Sequence, residues 1–254
     1  MRALRMHPSG ILLVVQLIGV LIYPFMETTG RRVVFEAFGA LVLALAVWSV
    51  RSSAGRVSST IAITLGVIAS GLSITDAVHH SLGMQLAAAF FHAVFYFWAA
   101  GNLMGYMLAD TRVTTDELFA VGATFTLVAW GFAYVFSILE ALQPGCFIAA
   151  VNSDAKRTWV ELLFLSFTNL SSTGLSDIIP VTAQARAVVM IEQLAGLGYV
   201  ALFVSRLVGL QMSRHMAKSA AAGPEDSATA DPERTLTVNA RPADVGVAEP
   251  KADG

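Results

Sequence analysis

One run of nine residues holds most of the chain's usable chemistry: Asn169-Leu170-Ser171-Ser172-Thr173-Gly174-Leu175-Ser176-Asp177. It offers hydroxyls, backbone carbonyls around a glycine, and one carboxylate. Groups of this kind can take the place of water around a small cation. Nucleophilic or acid–base catalysis would need a nucleophile and a base within reach of each other. No such pair and no metal-ligand set at workable spacing is found, so an enzyme is not expected. The lone cysteine, Cys146, excludes a disulfide scaffold and a multi-thiolate metal site.

The elements around the run decide how it is presented. Thr158-Trp159-Val160-Glu161 fits a capping box, which starts a helix. That helix, Trp159 to about Ser171, is roughly 20 Å long at 1.5 Å per residue. Its apolar part, about 12 residues, is too short to cross a bilayer and reads as re-entrant. Non-helical backbone at membrane depth survives only when buried in protein or lining water. A half-membrane helix followed by a Ser/Thr/Gly strand therefore implies an aqueous path. The carbonyl end of the short helix, with its partial negative charge, would favour a cation there.

Longer apolar segments flank this unit. Residues 118–142 precede it and 185–210 follow it, the latter with Glu192, Gly196 and Gly198 inside. Four more candidate spans come first: 11–26, 33–50, 61–75 and 84–109. The expected fold is therefore all-α and integral to the membrane, with about six transmembrane helices and a re-entrant pore helix and filter loop between the fifth and sixth. Composition agrees: of 254 residues, 56% are hydrophobic and 13% charged, against about 25% charged in a soluble domain. This excludes a soluble globular or disordered protein, and a net charge of −2 gives no footprint for nucleic acid. Tyr23-Pro24-Phe25-Met26-Glu27 offers no small-residue cleavage site, so the first span is read as uncleaved. Residues 216–254 hold four prolines and seven acids but no aromatic residue. They are expected to form a disordered tail.

The order outer helix, pore helix, filter, inner helix resembles the potassium-channel superfamily over Thr115 to Leu210. Phe164-Leu165-Ser166-Phe167-Thr168 is similar to its pore helix and Asp177-Ile178-Ile179-Pro180-Val181-Thr182 to its filter exit. Ser172, Thr173, Gly174, Leu175 and Ser176 stand at the positions of its Thr-Val-Gly-Tyr-Gly filter. The resemblance implies a homotetramer in lipid that passes potassium or another monovalent cation, with no cofactor. It implies that Asp177 fixes the outer end of the filter and that Gly196 is a gating hinge. The implied domains are a four-helix membrane region at 1–110, a pore domain at 111–215 and the tail. The implied location is a plasma membrane, that of a bacterium, with both termini cytoplasmic. Lys and Arg in the short loops follow that orientation weakly. Leu175 and Ser176 depart from the family residues, a tyrosine that braces the filter and a glycine with backbone freedom. They leave the ion's identity open, and with it a non-conducting or regulatory protein that keeps the pore fold.

Residues 84–109 contain no Lys or Arg, so an arginine-bearing voltage sensor is not expected. The aromatic run in that segment reads as packing surface. Glu192 has two readings: pairing behind the filter with a pore-helix hydroxyl, or facing the cavity to concentrate cations. Glu140 and Glu36 read as interfacial, and Cys146 as a free thiol in an outer loop. His79, His80 and His92 invite a metal or haem reading, but more simply His79 and His80 form a turn with Asp76.

Overall fold

The computed structural model describes residues 8–22, 39, 41–48, 56–79, 81–109 and 115–221. The helices are α1 (Pro8–Ile22), α2 (residues 41–48), α3 (Arg56–His79), α4 (Leu82–Ala109), α5 (Thr115–Leu142), α6 (Trp159–Leu170) and α7 (Ala183–Ala221). Among the described residues four segments are long and apolar enough to cross a membrane: Val57–Asp76, Leu82–Ala109, Asp116–Leu142 and Ala183–Arg206. In hydrocarbon a helix satisfies its backbone internally, which is why such sequences adopt this form. The fold is that of an all-helical membrane protein. At 15 residues α1 is shorter than a full span. Glu36, His80 and the tail from residue 222 onward lie outside the described residues.

Met1–Val208 forms one compact unit and Gly209–Gly254 a second, of which residues 209–221 are described as the last turns of α7. The helix thus continues to Ala221, into the segment expected to be a tail. Met216, Lys218 and Ala220–Ala221 are good helix formers, and Pro224 is the first residue that cannot continue a helix.

Within the first unit α4 packs along both α3 and α5, and α1 and α6 pack on α5. Between membrane helices there is no hydrophobic drive, so close fit does the work. Ala99 and Ala100 on α4 and Ala120, Ala123, Ala129 and Ala133 on α5 are all buried. Gly122 lets α1 approach: a Cβ there would lie 2.9 Å from Leu13 Cδ2. Ser9 Oγ anchors the same pair by donating to Asp116 Oδ2 at 3.1 Å. The aromatic run divides as its spacing requires. Phe95 and Tyr96 are core residues, whereas Phe90 and Trp98 face outward.

A two-stranded antiparallel ribbon, β1 (Phe147–Ala149) with β2 (Ile178–Pro180), was not foreseen. It pairs Phe147 with Pro180 and Ala149 with Ile178, tying the loop after α5 to the segment before α7. In that loop Arg157 is buried, donates from Nε to the Ala155 carbonyl at 3.0 Å, and pairs with Glu161 at 3.2 Å. Its charge is satisfied within the folded loop.

Cys146 and Glu140 also correct their expected exposure. Cys146 is fully buried and Glu140 is 2% exposed; Sγ lies 3.5 Å from Glu140 Oε2, and the Gly145 N–H donates to Oε1 at 3.4 Å. The ribbon closes over this pair. Burial, then the hydrogen bond to Glu140, pushes the thiol up to about 12. Only about one thiol in ten thousand is then ionised at pH 8, and the thiolate is the reactive form. Folded protein at pH 8 is therefore expected to resist maleimide for hours, while denatured protein takes up one label per chain. Mass spectrometry reads both.

Candidate functional site

The site begins where α6 begins. Thr158 caps the helix: the Glu161 N–H donates to Thr158 Oγ1 at 3.3 Å, and the Thr158 N–H donates to Glu161 Oε2 at 2.6 Å. This reciprocal cap fixes the first turn. Twelve residues later the helix must stop, and the manner of stopping builds the site.

Ser171 is the C-cap, and Ser172 takes the left-handed backbone, φ 59°. The Ser172 N–H donates to the Asn169 carbonyl at 3.0 Å, and the Thr173 N–H to the Thr168 carbonyl at 3.0 Å. These two bonds are the paired closure of a Schellman motif, with serine where glycine is usual. The Gly174 N–H also donates to Thr168 O, at 3.1 Å, and Gly174 is the next left-handed residue, φ 63°. The Ser171 hydroxyl donates to Phe167 O at 2.6 Å and lies 3.0 Å from Thr173 Oγ1. The carbonyls of residues 167–169, expected to point partial charge at a cavity, are instead occupied by donors of the turn.

The turn displaces that role by one peptide. A trans peptide sets its N–H and C=O on opposite sides. With the amides of Ser172, Thr173 and Gly174 aimed back at α6, the carbonyls of Ser171, Ser172 and Thr173 point away from it. Among the described residues nothing donates to them. Ser171 to Leu175 are exposed in the single chain, and Leu175 is 79% exposed.

The exit of the turn is pinned. Ser176 Oγ accepts from the Ile178 N–H at 3.1 Å, and the Asp177 carbonyl accepts from the Ala150 N–H at 3.1 Å. Ser176 is not among the left-handed residues, so the cost expected from its side chain does not arise. The carbonyl of Asp177 is held by the segment after β1, and its residue is exposed.

Behind α6 lie Glu192 and Gly196, both on α7. Ser166 Oγ stands between two helices: it is 2.8 Å from the Ala129 carbonyl of α5 and hydrogen-bonds the Glu192 carboxyl of α7. Ser166 and Glu192 are both fully buried. Of the two readings of Glu192, the structure has the pairing with a pore-helix hydroxyl. Gly196 touches the end of α6, where a Cβ would overlap the Leu170 carbonyl. The helix α7 runs unbroken through Gly196. Further along, Tyr199 Oη donates to the Val121 carbonyl at 2.6 Å, and Arg206 pairs with Glu117 at 3.3 Å. Glu117, Val121, Phe125 and Ala129 share one face of α5 at four-residue spacing.

The turn therefore gathers Ser172, Thr173, Gly174, Leu175 and Ser176 in one exposed loop, with Asp177 at its exit. It leaves Glu192 and Gly196 on the opposite side of α6. Sequence reasoning missed Ser171 as a capping residue, the Arg206–Glu117 pair and the ribbon. The only available signal was the pairing of short apolar triplets at 147–149 and 178–180. The histidines are separated: His79 is exposed at the end of α3, whereas His92 is buried in α4 with Nδ1 2.8 Å from the Ala88 carbonyl. Among the described residues no group of three or more His, Cys, Asp or Glu is placed to hold a metal ion.

Two substitutions read this geometry in opposite directions. Ser172→Gly removes the left-handed cost and is expected to stabilise by about 1 kcal/mol. Gly196→Ala drives a methyl into backbone that cannot yield and is expected to destabilise by about 1–3 kcal/mol. Thermal unfolding of purified protein in detergent measures both.

Residues 122–211 match a family model described as an ion channel. The match starts in α5, takes in α6, the turn and its exit, and ends in α7. No curated protein and no solved structure matches the chain. The part of the chain that carries the turn is thus similar to an ion channel domain.

Proposed function

We propose that the protein is a tetrameric cation channel of potassium-channel type, which passes potassium or other monovalent cations down their gradient. One observation carries this reading: the Ser171, Ser172 and Thr173 carbonyls turn away from α6 on an exposed turn and lack donors among the described residues. Carbonyls left bare at membrane depth need a partner. One turn cannot enclose an ion, but four related by cyclic symmetry surround an axis and replace an ion's water shell. The faces such an assembly needs are present: Leu194 and Leu197 on α7 are 72% and 62% exposed in the single chain.

In this reading Ser172, Thr173, Gly174, Leu175 and Ser176 form the ion-binding filter, with the outward Ser172 and Thr173 carbonyls among its ligands. Asp177 holds the exit, while Glu192 and Gly196 keep α7 against the back of α6. Residues 111–215 make the pore, 1–110 surround it, and 216–254 follow in the cytoplasm of a bacterial cell. The runner-up is a non-conducting protein that keeps the pore fold. It draws support from Leu175, whose side chain is exposed where the family has a tyrosine that braces the filter.

The test is current through purified protein in a planar bilayer, with potassium on one side and sodium on the other. The expected result is current that reverses toward the potassium equilibrium potential. Reversal near zero with real current assigns a nonselective cation pore. No current across voltages and pH overturns conduction and favours the runner-up.

A further inference from the structure

Away from the turn, a cavity of about 180 Å³ opens among α3, α4, α5 and the first residue of α6. Its wall includes Asp76 of α3, Gln85 and His92 of α4, Tyr134 and Ser137 of α5, and Trp159 of α6. A cavity of about 150 Å³ takes a benzene-sized molecule, so this one has room for a single ring with a short substituent.

The chemistry of the wall selects the substituent. Asp76 is the one Asp, Glu, Lys or Arg lining the cavity, so an anion finds no counter-charge among these lining residues. Three of the other lining residues carry rings, His92, Tyr134 and Trp159, and most of the remainder are apolar. The His92 and Tyr134 rings stack at 4.6 Å and 14°, and the Tyr134 and Trp159 rings lie 5.5 Å apart. A carboxylate beside aromatic faces is the recognition chemistry of an organic ammonium ion. A bare metal ion fits poorly, because no three-ligand group occurs among the described residues. Asp76 ends the apolar segment Val57–Asp76, which places the charged wall at the edge of the span, within reach of water.

We infer that this cavity binds one small protonated amine, with the ammonium group at Asp76 and the apolar body against Tyr134 and Trp159. The same ammonium chemistry occurs in soluble amines and in the ethanolamine headgroup of a lipid. An occupant touches the peripheral helices and the residue that opens α6, so it bridges the two parts of the chain.

The probe is benzylammonium, with uncharged benzyl alcohol as its isostere, titrated calorimetrically into delipidated full-length protein in detergent. The expected result is saturable binding of one benzylammonium per chain. Asp76→Asn and the alcohol each weaken it by about tenfold or more, while binding survives in protein that carries no current. Ser137→Phe, which fills the cavity from α5, abolishes binding and serves as the second variant if Asp76→Asn fails to fold. Displacement by phosphatidylethanolamine assigns the lipid headgroup as the natural source, and lack of displacement assigns a soluble amine. Absence of saturable binding to wild type, or equal affinity for the alcohol, overturns the inference.

Discussion

The structure of the site depends on how a 12-residue helix ends inside a membrane protein. A helix terminus leaves carbonyls without partners, and at membrane depth water is not there to supply them. Here the chain solves this by folding its own next three amides, at Ser172, Thr173 and Gly174, back onto Thr168 and Asn169. Satisfying one set of carbonyls in this way exposes the next set. The planarity of the peptide makes the exchange unavoidable, and it converts a capping problem into a row of outward oxygens.

Everything else near the turn holds it in that geometry. In front, the β1–β2 ribbon secures the exit through the Asp177 carbonyl. Behind, Ser166 joins α5 and α7 through Ala129 and Glu192, and Gly196 lets α7 rest on Leu170. The contacts between α5 and α7 then continue through Tyr199 and end in the Arg206–Glu117 pair. That pair ties the two helices far along α7 from the turn.

Four of the six expected spans and the short helix were legible in the sequence because each rests on a local rule. Apolar length identifies a span, and Thr158 with Glu161 marks the start of α6. Glu192 keeps two readings in the sequence, and its hydrogen bond with Ser166 is a feature of the folded chain. Three features were not legible. The Schellman closure hides because Ser172 stands where glycine would have signalled it. The ribbon joins triplets about thirty residues apart, a pairing no local pattern reports. Glu140 reads as interfacial in the sequence, and only the folded loop shows it, and Arg157 beside the start of α6, buried. The ribbon depends on a partner distant in sequence, whereas the other two depend on local loop conformations that residue type does not announce.

The account turns on the outward carbonyls meeting their counterparts from other copies of the chain. Native mass spectrometry of the purified protein, released from mild detergent, reads this most directly. The account predicts an assembly of four chains, and predicts that Gly196→Ala, by disturbing the seat of α6, shifts that assembly toward single chains. A protein that runs only as a monomer or dimer under conditions where its helices remain folded would contradict it.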